Sequence, residues 1–247
     1  MKNGAILLML LLFVCTGAGY SAQASDSKEW DILGVKLGMS LEDAASVLKS
    51  TVPPRAIEPL KSTFQTNPAS HFKTPALITG ARDLSYGNQM FIACDLAQPA
   101  IIIGLYRTEN YQTKPSFDIV YKSLVDKYGK PDKTDKQNNN ITYVWLSNSN
   151  KSLTTIDSLG YIREITNLSS GADPEASMPG AKGAGKMMLY SINLDGNGAL
   201  VSFVACGFID TDRIFNSRKY LQKVMADGDA SEAAKAKMQG DQTKPKF

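Results

Sequence analysis

The spacing of apolar residues changes several times along the chain, and each change predicts an element. Leu41, Ala44, Ala45 and Leu48 recur at i, i+3, i+4 and i+7, one face of a helix. Gly38 opens the turn before it. Ser40 is placed to cap it, with Asp43 three residues on in the position of a capping-box acid. Pro53-Pro54 stops the element. Phe117, Val120, Tyr121, Leu124, Val125 and Tyr128 form a second helical stripe. Gly129 stands where a left-handed C-terminal cap belongs, with Pro131 just beyond. A third helix is read in TDRIFNSRKYLQKVMADG, ending at Gly228. Residues 229–247 are charged and nearly free of large apolar side chains, the composition of a flexible tail.

Between these stripes the period shortens. WDILGVKL (30–37) reads as a short strand. MFIACDLA (90–97) and AIIIGLYRT (100–108) flank Gln98-Pro99 and read as a hairpin. ITYVWLS (141–147) is another strand. A last hairpin runs through MMLYSINL, the turn DGNG (195–198) and ALVSFVACGFI. Residues 55–75 are polar, carry Pro59, Pro68 and Pro75, and read as a long connection. Strands and helices do not alternate regularly, so a parallel sheet is not expected. The order predicts an α+β fold, with antiparallel sheet and helices packed on one face. The length allows one domain over 25–228 or two helix-plus-sheet halves, 25–112 and 113–228.

The N-terminus changes the picture of where this fold resides. Lys2 is the only charge before Asp26. Ala5–Val14 is an unbroken apolar run, too short to span a bilayer comfortably. Ala22-Gln23-Ala24 closes it. This is the pattern of a secretory signal peptide over 1–24, cleaved between Ala24 and Ser25. Phe13-Val14 before Cys15 are not the small residues a lipidation site requires, so Cys15 is read as part of the leader. The expected localisation is periplasmic or secreted, with no integral membrane segment once the leader is removed. Removing it takes away one lysine, so the net charge falls from +3 to +2. That is no basic footprint for nucleic acid. Cys94 and Cys206 remain. Export of an even number of cysteines suggests a disulfide between them; two buried free thiols are the other reading.

Candidate chemistry is sparse. PGAKGAGKMM (179–188) holds most of a phosphate-binding loop, Gly-x4-Gly-Lys. Such a loop needs a buried strand before it, a helix after it and Ser or Thr following the Lys. Here loop residues precede, a strand pattern follows and Met187 takes the hydroxyl position. No nucleotide is expected; Gly180, Gly183 and Gly185 are read as a mobile surface loop from about Asn167 to Lys186. His71 is the only histidine, which excludes a His-ligated zinc cluster and leaves a Ser-His-Asp triad with one candidate base, read instead as an exposed loop residue. DGNG lacks the further ligands of a calcium loop and is read as a hairpin turn. Asn140, Asn150 and Asn167 each begin Asn-x-Ser/Thr, which has meaning only in a eukaryotic secretory route. No metal, no cofactor and no catalytic residue is assigned.

GVKLGMSLEDAASVL resembles the G-x-x-x-G-M-S/T-x-x-E-x-x-x-x-L opening of many exported proteins of Gram-negative bacteria. LVDKYGKPD followed by YVWLS resembles their second signature, a helix ending in Tyr-Gly-x-Pro before a Trp-bearing strand. Both are similar, more distantly, to the BamE/SmpA outer-membrane assembly lipoproteins and the β-lactamase-inhibitor-protein-like fold. The resemblance implies structural roles: Gly38 and Ser40 start a helix, Gly129 and Pro131 end one, and Trp145 offers it an apolar face. These motifs carry no catalytic residue. The expectation is therefore an exported, non-catalytic module that binds another envelope or secreted protein, or a peptidoglycan component, through its sheet face or loops. The alternative is an envelope-polymer hydrolase using a carboxylate pair, although no spacing among the 24 acidic residues singles one out.

Overall fold

A computed structural model of the chain describes residues 30–51, 58–65, 71–74, 77–83, 89–98, 101–148, 178 and 180–242. The signal-peptide region, with Cys15, Ala24 and Ser25, lies outside the described residues, as do Asn150 and Asn167. The fold is α+β. Its sheet has eight strands: β1 (Glu58–Ser62), β2 (Leu77–Asp83), β3 (Met90–Cys94), β4 (Ile102–Asn110), β5 (Lys133–Gln137), β6 (Asn140–Leu146), β7 (Lys186–Leu194) and β8 (Val201–Asp210). They lie in the order β1-β2-β3-β4-β8-β7-β6-β5, and every neighbouring pair is antiparallel. The helices are α1 (Leu41–Thr51), α2 (Phe117–Tyr128) and α3 (Thr211–Gln242).

The strand order contains a repetition. Each half is one helix followed by a four-stranded meander: α1 with β1 to β4, α2 with β5 to β8. The halves join where β4 pairs with β8, making one continuous sheet. In each half the residue before the helix is stitched to the start of the last strand. Ser40 bridges Ile101, and Ser116 bridges Leu200. The backbone of Ile102 donates to Met39 at 2.9 Å, and that of Val201 donates to Pro115 at 2.9 Å. These matched anchors make β4 and β8 counterparts, with Arg107 opposite Cys206 in the ladder. Counting along both strands makes Arg107 and Cys206 counterparts too, so a local two-fold axis passes between them.

Apolar residues line both faces of the central strands, and the sheet is covered on both. One face holds Trp145, Met188, Cys206 and Phe208, packed under Ala44 and Leu48 of α1 and Leu124 and Tyr128 of α2. The other face holds Val144, Met187, Leu189 and Ile209 under Ile214 and Phe215 of α3. The expectation that all helices share one face is thus corrected. The chain leaves β8 directly into α3, and side-chain alternation leaves an apolar set on the second face for α3 to cover. Gly228 does not end α3. A Cβ there would fall 2.0 Å from the Phe72 ring, so the glycine gives Phe72 room to approach the helix. The segment read as a flexible tail continues the helix to Gln242, largely exposed over 230–239 and with a Glu232–Lys235 pair at 2.9 Å.

Two further expectations change, and one strand had no reading in the sequence. WDILGVKL is not a strand but a tight reversal. Leu33 and Gly34 both have positive φ, 56° and 80°, and Ile32 and Val35 exchange two backbone hydrogen bonds of 3.0 Å. The polar 55–75 stretch contains β1, and the polar KTDKQ forms β5. These are the two edge strands, where Pro59, Lys61, Lys133 and Lys136 are compatible with pairing on one side only.

Candidate functional site

The motif residues named from the sequence build the frame rather than a site. Gly38 has φ 86°. The Ser40 hydroxyl accepts from the Asp43 backbone at 3.0 Å and donates to its carboxylate at 2.7 Å, so the cap forms as expected. Gly129 takes positive φ, 83°, but its ψ of −174° is extended rather than left-handed helical; its N–H still reaches the Val125 carbonyl at 2.8 Å. Trp145 packs edgewise on Tyr190 and tilted on Tyr128. Its indole N–H also donates to the Gly129 carbonyl at 3.0 Å. Pro131 lies in the link to β5, where the next residue, Asp132, accepts from the Leu146 backbone at 2.7 Å.

Of the two readings of the cysteines, the structure shows the free thiols and not the bridge. Cys94 and Cys206 are both buried free thiols. They sit on β3 and β8 with β4 between them, about 9 to 10 Å apart across the sheet. Arg107 of β4 lies level with Met90 of β3 and Cys206 of β8, whereas Cys94 pairs with Ile102. That sets Cys94 about four residues, or roughly 13 Å, farther along. A bridge needs alpha carbons within about 4.4 to 6.8 Å.

The glycine-rich stretch is not a phosphate cradle. Lys186 begins β7, not a helix. The Gly183 N–H is taken by the Asp212 carboxylate at 2.8 Å, an anion the protein supplies itself. Nor is its described part a loose surface loop: Met178, Ala181 and Ala184 are buried on the α3 face, and the Gly185 carbonyl accepts from both the backbone and the hydroxyl of Thr211. His71 is exposed. DGNG is the β7–β8 turn, with Asp195 accepting from the Ala199 and Leu200 backbones at 3.3 Å. Among the described residues no three His, Cys, Asp or Glu side chains group as a metal site.

The sequence reading missed a cleft of about 340 Å³ beside the local two-fold axis, between the N-terminal half of α2 and the sheet. Ile119, Val120, Ser123 and Leu124 form its helical wall. Val204 and Cys206 of β8, Tyr190 of β7, and Arg107 and Glu109 of β4 form the sheet side. Arg107 and Glu109 are two apart on one strand and therefore share a face; they pair at 2.8 Å. The Arg107 Nε is buried without a hydrogen-bond partner. Ile119 stands 64% exposed at the rim. The available signal was two opposite charges at alternate positions of β4, after an apolar first half.

The thiol and the phenols here are held in their neutral forms. Burial pushes the Cys206 thiol up to about 11, against lowering by Arg107 and a hydrogen bond from Tyr190. Burial, followed by the neighbouring Cys206, drives the Tyr190 hydroxyl well above its ordinary value. Burial and then Glu109 raise Tyr111. A thiol this protonated is a poor nucleophile. One carboxylate, already paired, lines the cleft, so no carboxylate pair converges there. The arrangement is suited to holding a group rather than transforming it.

No protein-family model, curated protein or solved structure matches this chain.

Proposed function

We propose that the protein is an exported, non-catalytic binding module of the periplasm or extracellular space, and that the cleft under α2 engages another envelope or secreted protein. The observation that carries this reading is a cleft with an exposed apolar rim, a neutralised ion pair and chemically quiet thiol and phenol groups. The leader pattern at 1–24 supports export, and the resemblance of the GMS and YGKP motifs to exported envelope proteins agrees with it. Among the described residues no helix is long and apolar enough to cross a membrane.

Affinity capture from native envelope tests the reading, using mature chain beginning at Ser25 as bait. The wild type is expected to retain a partner that Ile119→Asp does not. Hydrolysis of an envelope polymer, abolished by Glu109→Gln, would overturn it. N-terminal sequencing of exported protein is expected to begin at Ser25; a lipidated Cys15 at position one would overturn the processing.

A further inference from the structure

The two halves differ at one corresponding place, and that difference bears on what the cleft takes. Counting on from the matched anchors pairs Val47 of α1 with Ser123 of α2, and Phe208 of β8 with Glu109 of β4. Ser123 and Glu109 line the cleft. In the first half, both counterparts are covered by the chain itself. A Cβ on Gly34 would lie 2.9 Å from Val47 Cγ1, and the Trp30 ring stands edge-on to Phe208 at 5.8 Å between centroids. The covering segment is Trp30–Leu37, folded back by its Leu33-Gly34 turn. Residues 111–116, which lead into α2, run along β8 instead: Tyr111 donates to Ser202 at 3.2 Å, and Pro115 accepts from Val201 at 2.9 Å. Tyr111 and Pro115 of that segment border the cleft, and Ser123 and Glu109 line the open space beside them.

We infer that this cleft receives an aromatic side chain of a partner protein, seated as Trp30 is seated in the first half. The inference rests on the binding-module reading and names what the site recognises. Val120 and Val204 provide apolar walls, and Ile119 provides a rim. The floor carries Arg107 and Glu109 where the first half has Cys206 and Phe208. A guanidinium packs on ring faces, and a carboxylate accepts a ring N–H or O–H, so tryptophan or tyrosine fits better than phenylalanine. About 340 Å³ admits a side chain with its local backbone but not a folded element.

Amide-resolved NMR of the isotope-labelled full chain, titrated with N-acetyl-tryptophan amide and with N-acetyl-leucine amide, tests the chemistry. Saturable shifts are expected at residues 107–111 and 117–124, with the leucine probe at least about tenfold weaker. Ser123→Trp, which supplies a ring in cis, is expected to abolish them; should that variant fail to fold, Ile119→Asp at the exposed rim carries the same reading. Absence of saturable shifts, or shifts unchanged in the variants, overturns the inference. Envelope capture with Ser123→Trp addresses the source of the ring. Loss of a wild-type partner supports the inference. Equal retention overturns it while leaving the binding-module reading intact. Probe binding with no partner retained overturns both in favour of a free aromatic molecule.

Discussion

The first and second halves share a plan and differ in how the helix is sealed against the sheet. In the first, Trp30–Leu37 closes the space beside α1, and Leu48 is 1% exposed. In the second, the corresponding space beside α2 is the cleft, and the corresponding Leu124 lines it at 7%. The same secondary structure thus yields a closed core on one side of the two-fold axis and an accessible site on the other. The deciding element is a short covering segment rather than a change of fold.

The largest expected effect tests that contrast directly. Leu48→Ala should destabilise by about 2 to 5 kcal/mol, because a sealed site cannot collapse around the cavity. Leu124→Ala should fall at or below the lower end of that range, because its site already opens to solvent. Urea midpoints of the two variants measure the difference, and equal losses would mean that α2 is sealed as tightly as α1.

Gly129→Ala comes next. Positive φ with extended ψ is a region open essentially to glycine, so substitution should cost about 1 to 3 kcal/mol. Because the Gly129 carbonyl also holds the Trp145 indole, tryptophan fluorescence should report the loss.

Alkali should then weaken both halves. Unfolded thiols ionise near 9.0, whereas burial raises Cys94 to about 12 and Cys206 to about 11. Unfolding therefore releases protons at high pH. This contribution is complete below about pH 9 and is lost as the pH rises towards 11 and 12. The melting temperature should fall across that window, less steeply in Cys206→Ala. Titration of denatured, unreduced protein should find both thiols reactive.

The smallest contrast lies at the two helix starts. The Ser40 hydroxyl caps α1, whereas Ser116 makes no side-chain cap bond to α2. Ser40→Ala should cost about 1 kcal/mol and Ser116→Ala close to nothing. Paired thermal melts resolve this, and equal shifts would remove the asymmetry.

Local chemistry was legible in the sequence because it acts over a few residues. The Leu41–Leu48 and Phe117–Tyr128 stripes, the Ser40 cap, the glycine needed at 129 and the β7–β8 turn each depend on neighbours in the chain. So did the failure of the GAKGAGK stretch as a phosphate loop, since a strand pattern follows Lys186. Tertiary structure alone decided the rest. KTDKQ became a strand because β6 offers it an edge, despite a composition that reads as loop. α3 passed through Gly228 because Phe72 needs the missing Cβ, and packing there overrides the usual stop signal. The two cysteines were equally suited to a bridge by composition, but β4 separates their strands. The cleft depends on which residues face one another across a two-fold axis in a single sheet. Strand order and register bring Ser123 and Glu109 to one cleft, and the alternate charges of Arg107 and Glu109 do not by themselves say which helix faces them.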